Sequence, residues 1–231
     1  MMAADLASPA TPSAMRILRD GWVVAMTAFA ILALALLPLL TPWAMHPALD
    51  AAESPAWLGL DAATTHALSD RTVEELVFGP GTWQGLAPDG TPFYDASEIQ
   101  HLQDVRQLLW LTFLLGALAL VVLLVVLERT ADTDEVVAAI GLGGAVVAGA
   151  VVIGAVLGVV AFDPLFELFH RVFFPQGVWA FDPGSQRLVQ LYPFAVWQLM
   201  AAALGLIMVV LGIAAWLLAR VTLRRRARTT W

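Results

Sequence analysis

An all-α membrane protein, a four-transmembrane-helix bundle with a small extracytoplasmic helical cap, is the fold class this sequence predicts. Three observations carry the prediction. The chain of 231 residues is 60% hydrophobic and only 13% charged, and its mean hydropathy of +0.78 lies outside the range of soluble domains. Four stretches, at about 22–43, 108–127, 136–162 and 194–219, reach the roughly 20 apolar residues needed to cross a hydrocarbon core of about 30 Å. The arginines, with lysine absent, are distributed so that each span acquires a direction.

Residues 1–15, "MMAADLASPATPSAM", have the small, turn-forming composition of a disordered cytoplasmic terminus. A single membrane domain follows over 16–220. Its first apolar run, preceded by Arg16 and Arg19, is too long for the core of a signal peptide, and Pro38 and Pro42 mark its outer end. The outer loop 44–104 is too short for an independent enzyme but sufficient for a cap. Within it, Asp61 is placed to cap one short helix and Ser69 or Asp70 a second, which Gly79, Pro80 and Gly81 would end. Ser97 is the expected cap of the second span's outer extension.

The link "ERTADTDE" forces the second and third spans into an antiparallel hairpin. The third span carries Gly154 and Gly158 at GxxxG spacing, with Gly141, Gly144 and Ala148 or Gly149 extending a small-residue face suited to close helix packing. The second outer loop, 163–193, opens with an amphipathic stretch whose Phe162, Phe166, Phe169 and Phe173 form an apolar face. Such a segment lies in the interface plane rather than crossing it. Pro175 and Gly177 interrupt it, and a turn at Asp182, Pro183 and Gly184 leads back to the fourth span. Residues 221–231 form a basic cytoplasmic tail, whose "RRRAR" suits contact with anionic membrane lipid.

Arg16, Arg19, Arg129 and the tail arginines fall on one side, which places both termini in the cytoplasm. The net charge of -7 comes from the opposite, extracytoplasmic face and argues against a nucleic-acid partner. Absence of cysteine removes disulfides and thiol nucleophiles from consideration. No span has an ionisable residue at its middle, which disfavours an ion pathway or proton relay across the membrane.

Two clusters at the outer boundary carry chemistry. In "EIQHLQDVR", Glu98, His101 and Asp104 recur at helical spacing, so that carboxylates lie one turn above and below the imidazole. In "FELFHRVFFPQGVWAFDP", Glu167 and His170 are one turn apart and Arg171 pairs with Glu167. His46 and His66 have no comparable company and read as loop residues. Neither HExxH nor a GxSxG elbow is present. A metal site assembled from His101, Asp104, Glu167 and His170 is chemically allowed, but proton transfer by imidazole is the simpler chemistry and needs no metal.

The residues alone leave three readings open: an interfacial lipid-modifying enzyme, a noncatalytic membrane subunit or scaffold, and a metal-dependent interfacial lipid or peptide hydrolase. "EIQHLQDVR", "FDPLFELFHRVFFPQGVWAFDP" and "RLVQLYP" together resemble the lipoprotein intramolecular transacylase family, called Lit, over most of residues 16–220. The resemblance implies a multi-pass protein of the bacterial cell membrane, active on its extracytoplasmic face, with His101 and His170 as catalytic residues and no cofactor. It implies as substrate the N-terminus of a diacylated lipoprotein. The acyl chain at sn-2 of the diacylglyceryl cysteine would move to that cysteine's α-amine, giving a lyso-form lipoprotein. One histidine, provisionally His101 with Glu98 or Asp104 orienting it, is then the expected base and the other, His170, the expected partner at the leaving oxygen or oxyanion, with the two parts open to exchange. Arg106 and Arg171 are expected at the oxyanion or headgroup, Glu167 supports Arg171, and Phe169, Phe173 and Trp179 are expected around the acyl chain.

Overall fold

The computed structural model describes residues 14–130, 133–175, 177 and 179–229. The terminal stretch expected to be disordered falls, up to residue 13, outside the described residues. The helices are α1 (Ala14–Leu36), α2 (Pro42–Ala51), α3 (Ser54–Leu58), α4 (Ala62–Val77), α5 (Ala96–Arg129), α6 (Thr133–Phe173), α7 (Arg187–Leu191) and α8 (Phe194–Thr229). The segments Ala14–Leu40, Ala96–Arg129, Thr133–Phe173 and Phe194–Arg228 are long and apolar enough to cross a membrane. They form the bundle. The short helices α2, α3, α4 and α7 form a cap at one end, and the α5–α6 hairpin and the C-terminal tail mark the other.

Helix α1 is the central element, touching α5, α6 and α8. Without a hydrophobic drive between apolar helices in lipid, contact is gained by bringing backbones close together. Small residues do this where α1 meets α5 and α6 and where α6 meets α8. A methyl group at Gly116 would collide with Ala33 of α1, and one at Gly143 would lie 2.8 Å from Thr27. Gly144 of α6 and Gly212 of α8 press backbone against backbone, each facing the other's carbonyl oxygen. Thr27, buried in α1, donates its hydroxyl to the Val23 carbonyl at 2.8 Å and so carries no unmet polar group into the bundle.

The GxxxG pair is not part of this packing. A methyl group added to Gly154 or Gly158 would meet nothing within 4 Å, and the residues around them on α6 are largely exposed. Their half of α6 faces outward along much of its surface, where the small-residue expectation placed a helix partner. At the tail end, charge fixes the arrangement. Glu135 receives Arg19 at 2.6 Å and Arg16 at 2.9 Å, while Asp134 receives Arg226 at 2.7 Å. Both carboxylates lie in the first turn of α6, where they also complement the positive end of its dipole.

The cap has its own apolar core, including Leu39, Leu49, Trp83, Phe93, Leu191 and Val196. Asp61 caps α4 by accepting the Thr64 amide at 2.9 Å, and α4 continues unbroken to Val77. Ser69 and Asp70 therefore start no second helix. Their side chains serve tertiary contacts instead: Ser69 meets the Tyr192 hydroxyl at 3.0 Å, and Asp70 meets His46 at 2.8 Å. Beside them the Thr72 hydroxyl meets that of Tyr94 at 2.8 Å, and the Trp83 indole donates to the Thr72 carbonyl.

His46 and His66 are helical rather than loop residues. One lies on α2 and one on α4, with rings stacked at 4.0 Å and only 9° between their planes. Each bonds an aspartate of the other's helix, His46 to Asp70 and His66 to Asp50 at 2.7 Å.

Two measurements probe these packing arguments. Gly144→Val should lower the melting temperature in detergent, at a cost of about 1–3 kcal/mol for overpacking, whereas Gly154→Ala should leave it within about 0.5 kcal/mol. Burial pushes the Tyr192 phenol up from 10.0 to about 12 and Tyr94 in the same direction. The unfolded chain gives up these protons first. The associated stability is therefore complete below pH 10 and declines as pH rises toward 12. Alkaline melting curves should show that decline, and a Tyr94→Phe, Tyr192→Phe double variant should flatten it.

Candidate active site

Helix α5 begins with a hydrogen-bonded cap at Asp95. That carboxylate accepts the amides of Ser97 and Glu98 at 2.7 and 2.9 Å, and Glu98 returns a carboxylate oxygen to the Asp95 amide at 2.6 Å. This capping box satisfies amides that the first helical turn leaves unpaired. Ser97, the expected cap, is the second residue of the helix. Against a burial that raises it, hydrogen bonds from the Ser97 hydroxyl, the Glu98 amide and Gln186 hold the Asp95 carboxyl below its ordinary range. His101 follows Glu98 by about one turn. At about 1.5 Å per residue, a 34-residue helix reaches about 51 Å and outruns the hydrocarbon core. Its first turns, with His101, therefore extend toward the cap.

Helix α6 arrives from the opposite direction. Its backbone leaves helical geometry at Ala161 (φ -141°, ψ 32°), three residues before Pro164, whose ring cannot fit an undistorted helix interior. The amphipathic stretch beyond this kink carries His170, which is 8% exposed. Its Nδ1 lies 2.8 Å from the Phe166 carbonyl oxygen. A carbonyl can only accept, so Nδ1 carries the proton and Nε2 keeps its lone pair.

The two imidazoles meet, with ring centroids 5.8 Å apart and planes inclined by 25°. Aromatic side chains surround them. Phe174 and Phe181 lie edge-on to His101 at 4.8 and 5.5 Å, while Phe166 and Trp179 lie 4.2 and 5.0 Å from His170. His101 is also 8% exposed, and its Nδ1 is buried without a hydrogen-bond partner among the described residues. A buried, unpaired ring nitrogen beside a second imidazole whose tautomer is fixed can exchange a proton with a group brought against it.

Of the remaining predicted site residues, some have partners away from the imidazoles and others lie beside them. Glu98 is 1% exposed, and its second oxygen accepts the Leu188 amide at 2.6 Å, so both oxygens serve backbone amides rather than His101. Among the described residues, no hydrogen bond joins His101 to Glu98 or Asp104. Arg106 donates to the Glu75 carbonyl and packs against Gly81. It supplies one of the partners that the end of α4 lacks. Arg171 and Glu167 form a surface pair at 2.6 Å, with side chains 68% and 50% exposed. Phe169 reaches His170 at 5.4 Å and Phe173 reaches Phe169 at 4.9 Å, both being partly exposed.

Among the described residues, no three histidine, aspartate or glutamate side chains are grouped as metal ligands. Phe174 and Phe181 are the wall residues that sequence reasoning missed. Each sits in an aromatic stretch with many equivalent neighbours, and only the turns after Phe173 and at Asp182 select them.

Four spanning helices, a helical cap and a buried imidazole pair beneath it define an integral membrane protein with a candidate catalytic centre at the level of its cap. The chain belongs to the lipoprotein intramolecular transacylase Lit family, whose model matches residues 68–197. Its fold is similar to the in meso structure of the membrane integral lipoprotein intramolecular transacylase Lit from Bacillus cereus. The TM-score is 0.75 at 19% identity, covering 93% of this chain and 98% of that one. Two structures of the Bacillus cereus protein with one histidine replaced, by arginine or by alanine, match at TM-scores of 0.66 and 0.63 and 18% identity. They cover 94% and 93% of this chain, and 95% and 96% of theirs. No curated protein matches the chain in sequence.

The two arginines separate by experiment. Arg106→Gln should destabilise the protein by about 1–3 kcal/mol, because it leaves the Glu75 carbonyl unpaired. Arg171→Gln removes an exposed pair and should change thermal stability by less than about 1 kcal/mol. Thermal unfolding of both variants in one detergent is the direct comparison.

Proposed function

We propose that this protein moves the sn-2 acyl chain of a lipoprotein's diacylglyceryl cysteine to the α-amine of that same cysteine, leaving a lyso-form lipoprotein. The observation that carries this reading is the close approach of His101 and His170 among aromatic side chains, in a chain of the Lit family. The arrangement of arginines supports both termini in the cytoplasm and a reaction at the outer surface of the bacterial cell membrane.

Ester and amine arrive on one substrate molecule, so the protein has chiefly to orient them and manage protons. The α-amine, with a reference pKa of about 7.7–8.0, must be unprotonated when it attacks. The fixed tautomer of His170 suits it to receive the proton that nitrogen releases on attacking the ester carbonyl. His101 hydrogen-bonds the carbonyl oxygen in the tetrahedral intermediate, and His170 hands the proton it received to the departing glycerol oxygen, so that both imidazoles end neutral as they began. One carbon–nitrogen bond forms, one ester carbon–oxygen bond breaks, and no acyl donor beyond the substrate takes part. Membrane lipid provides the medium in which both acyl chains lie.

A synthetic diacylglyceryl-cysteine peptide, incubated with purified protein and read by mass spectrometry, tests the activity. The acyl group should transfer to nitrogen without change in total mass, as tandem spectra would show. His101→Asn and His170→Asn should each reduce the rate by about 10²–10⁴-fold. Retention of the wild-type rate by either variant refutes its catalytic role, and absence of N-acylated product with the unaltered protein refutes the reaction.

A further inference from the structure

Of the aromatic groups surrounding the imidazoles, Phe174, Trp179 and Phe181 come from the connection between α6 and α7. At its far end this connection is fastened to the start of α5. Gln186 donates its amide to Asp95 at 2.9 Å and to Ser97 at 3.1 Å, and the Leu188 amide donates to Glu98 at 2.6 Å. The last of these bonds is buried, and it joins residues 90 positions apart. Glu98 thus holds the opening turn of the helix bearing His101 and the first turn of α7 on one carboxylate.

We infer that Glu98 is a positioning residue that determines where the acyl group goes, because it secures the aromatic wall that keeps water from the imidazole pair. This inference rests on the transacylase reading above. Two nucleophiles compete for the same ester carbonyl. When the amine attacks, nitrogen gains the acyl group and the glycerol oxygen leaves as a hydroxyl. When water attacks, its oxygen enters a free fatty acid, the same glycerol hydroxyl is released, and the amine stays unmodified. Imidazole chemistry serves either nucleophile, so exclusion of water selects between them. Phe174, 3% exposed, supplies much of that exclusion, together with Phe181, which also lies edge-on to His101.

The experiment measures product partition with purified, nanodisc-reconstituted full-length protein and a synthetic diacylglyceryl-cysteine peptide in ¹⁸O-water. Wild type should give N-acyl product with little labelled fatty acid. Glu98→Ala should lower the ratio of transfer to hydrolysis by about tenfold or more, equivalent to a difference of one decade between competing rates. Glu98→Gln, which keeps one acceptor, should recover part of the ratio. Gln186→Ala should shift the ratio in the same direction. Because Gln186→Ala leaves both Glu98 hydrogen bonds in place, Glu98→Gln, which must lose one of them, is the decisive variant if Glu98→Ala fails to fold.

A folded Glu98→Ala or Glu98→Gln protein that retains the wild-type ratio, or loses transfer without forming labelled fatty acid, overturns the assignment. Wild-type protein that yields no N-acyl product overturns the transacylase reading itself, a distinguishable result.

Discussion

A carboxylate withdrawn from water must be met by donors, and Glu98 is met by two backbone amides from separate parts of the chain. That requirement orders the capped end of the molecule. The Asp95 amide belongs to the start of α5 and the Leu188 amide to the start of α7, so both helix origins are fixed relative to one another. Hydrogen bonds from Gln186 to Asp95 and Ser97 extend the junction to the preceding turn. The Asp182 carboxylate then holds that turn by accepting the Gly184 amide and the Ser185 hydroxyl, both at 2.9 Å. The junction lies about one helical turn from His101 and leads directly into the segment that supplies Phe181. Placement of the imidazole and of its aromatic surroundings therefore follows from one buried charge.

The membrane portion is held by a different kind of contact. Gly116, Gly143, Gly144 and Gly212 let helices approach to backbone distance where α1 meets α5 and α6, and where α6 meets α8. Toward the capped end α6 departs from this close packing, then bends at Ala161 to bring its last turns over toward α5. Phe162 and Phe166 anchor the bent segment against Phe194, with ring separations of 5.3 and 5.4 Å. His170 reaches His101 because the kink redirects a helix that would otherwise continue outward.

Much of this architecture is legible in the residues. The four spans and both histidines are readable from length, apolarity and helical spacing. Less legible are interactions whose partners are distant in sequence. Glu98 reads as an orienter of His101 because both lie on one helical face, but the Leu188 amide, 90 positions away, claims its second oxygen. Ser69 and Asp70 have the chemistry of helix caps, yet α4 runs through them because their side chains find Tyr192 and His46. The GxxxG spacing of Gly154 and Gly158 is visible, whereas the absence of a facing helix among the described residues depends on the path of α1 and the bend in α6. Local patterns give propensity, and tertiary contacts decide which propensity prevails.

The stacked histidines of α2 and α4 have a mechanical consequence. Their two aspartate bonds cross, each helix giving one imidazole and one carboxylate. Sliding either helix along the other lengthens both bonds together and shears the rings out of register, while rotation separates the pair. Four side chains thus oppose displacement of α2 against α4 along two directions.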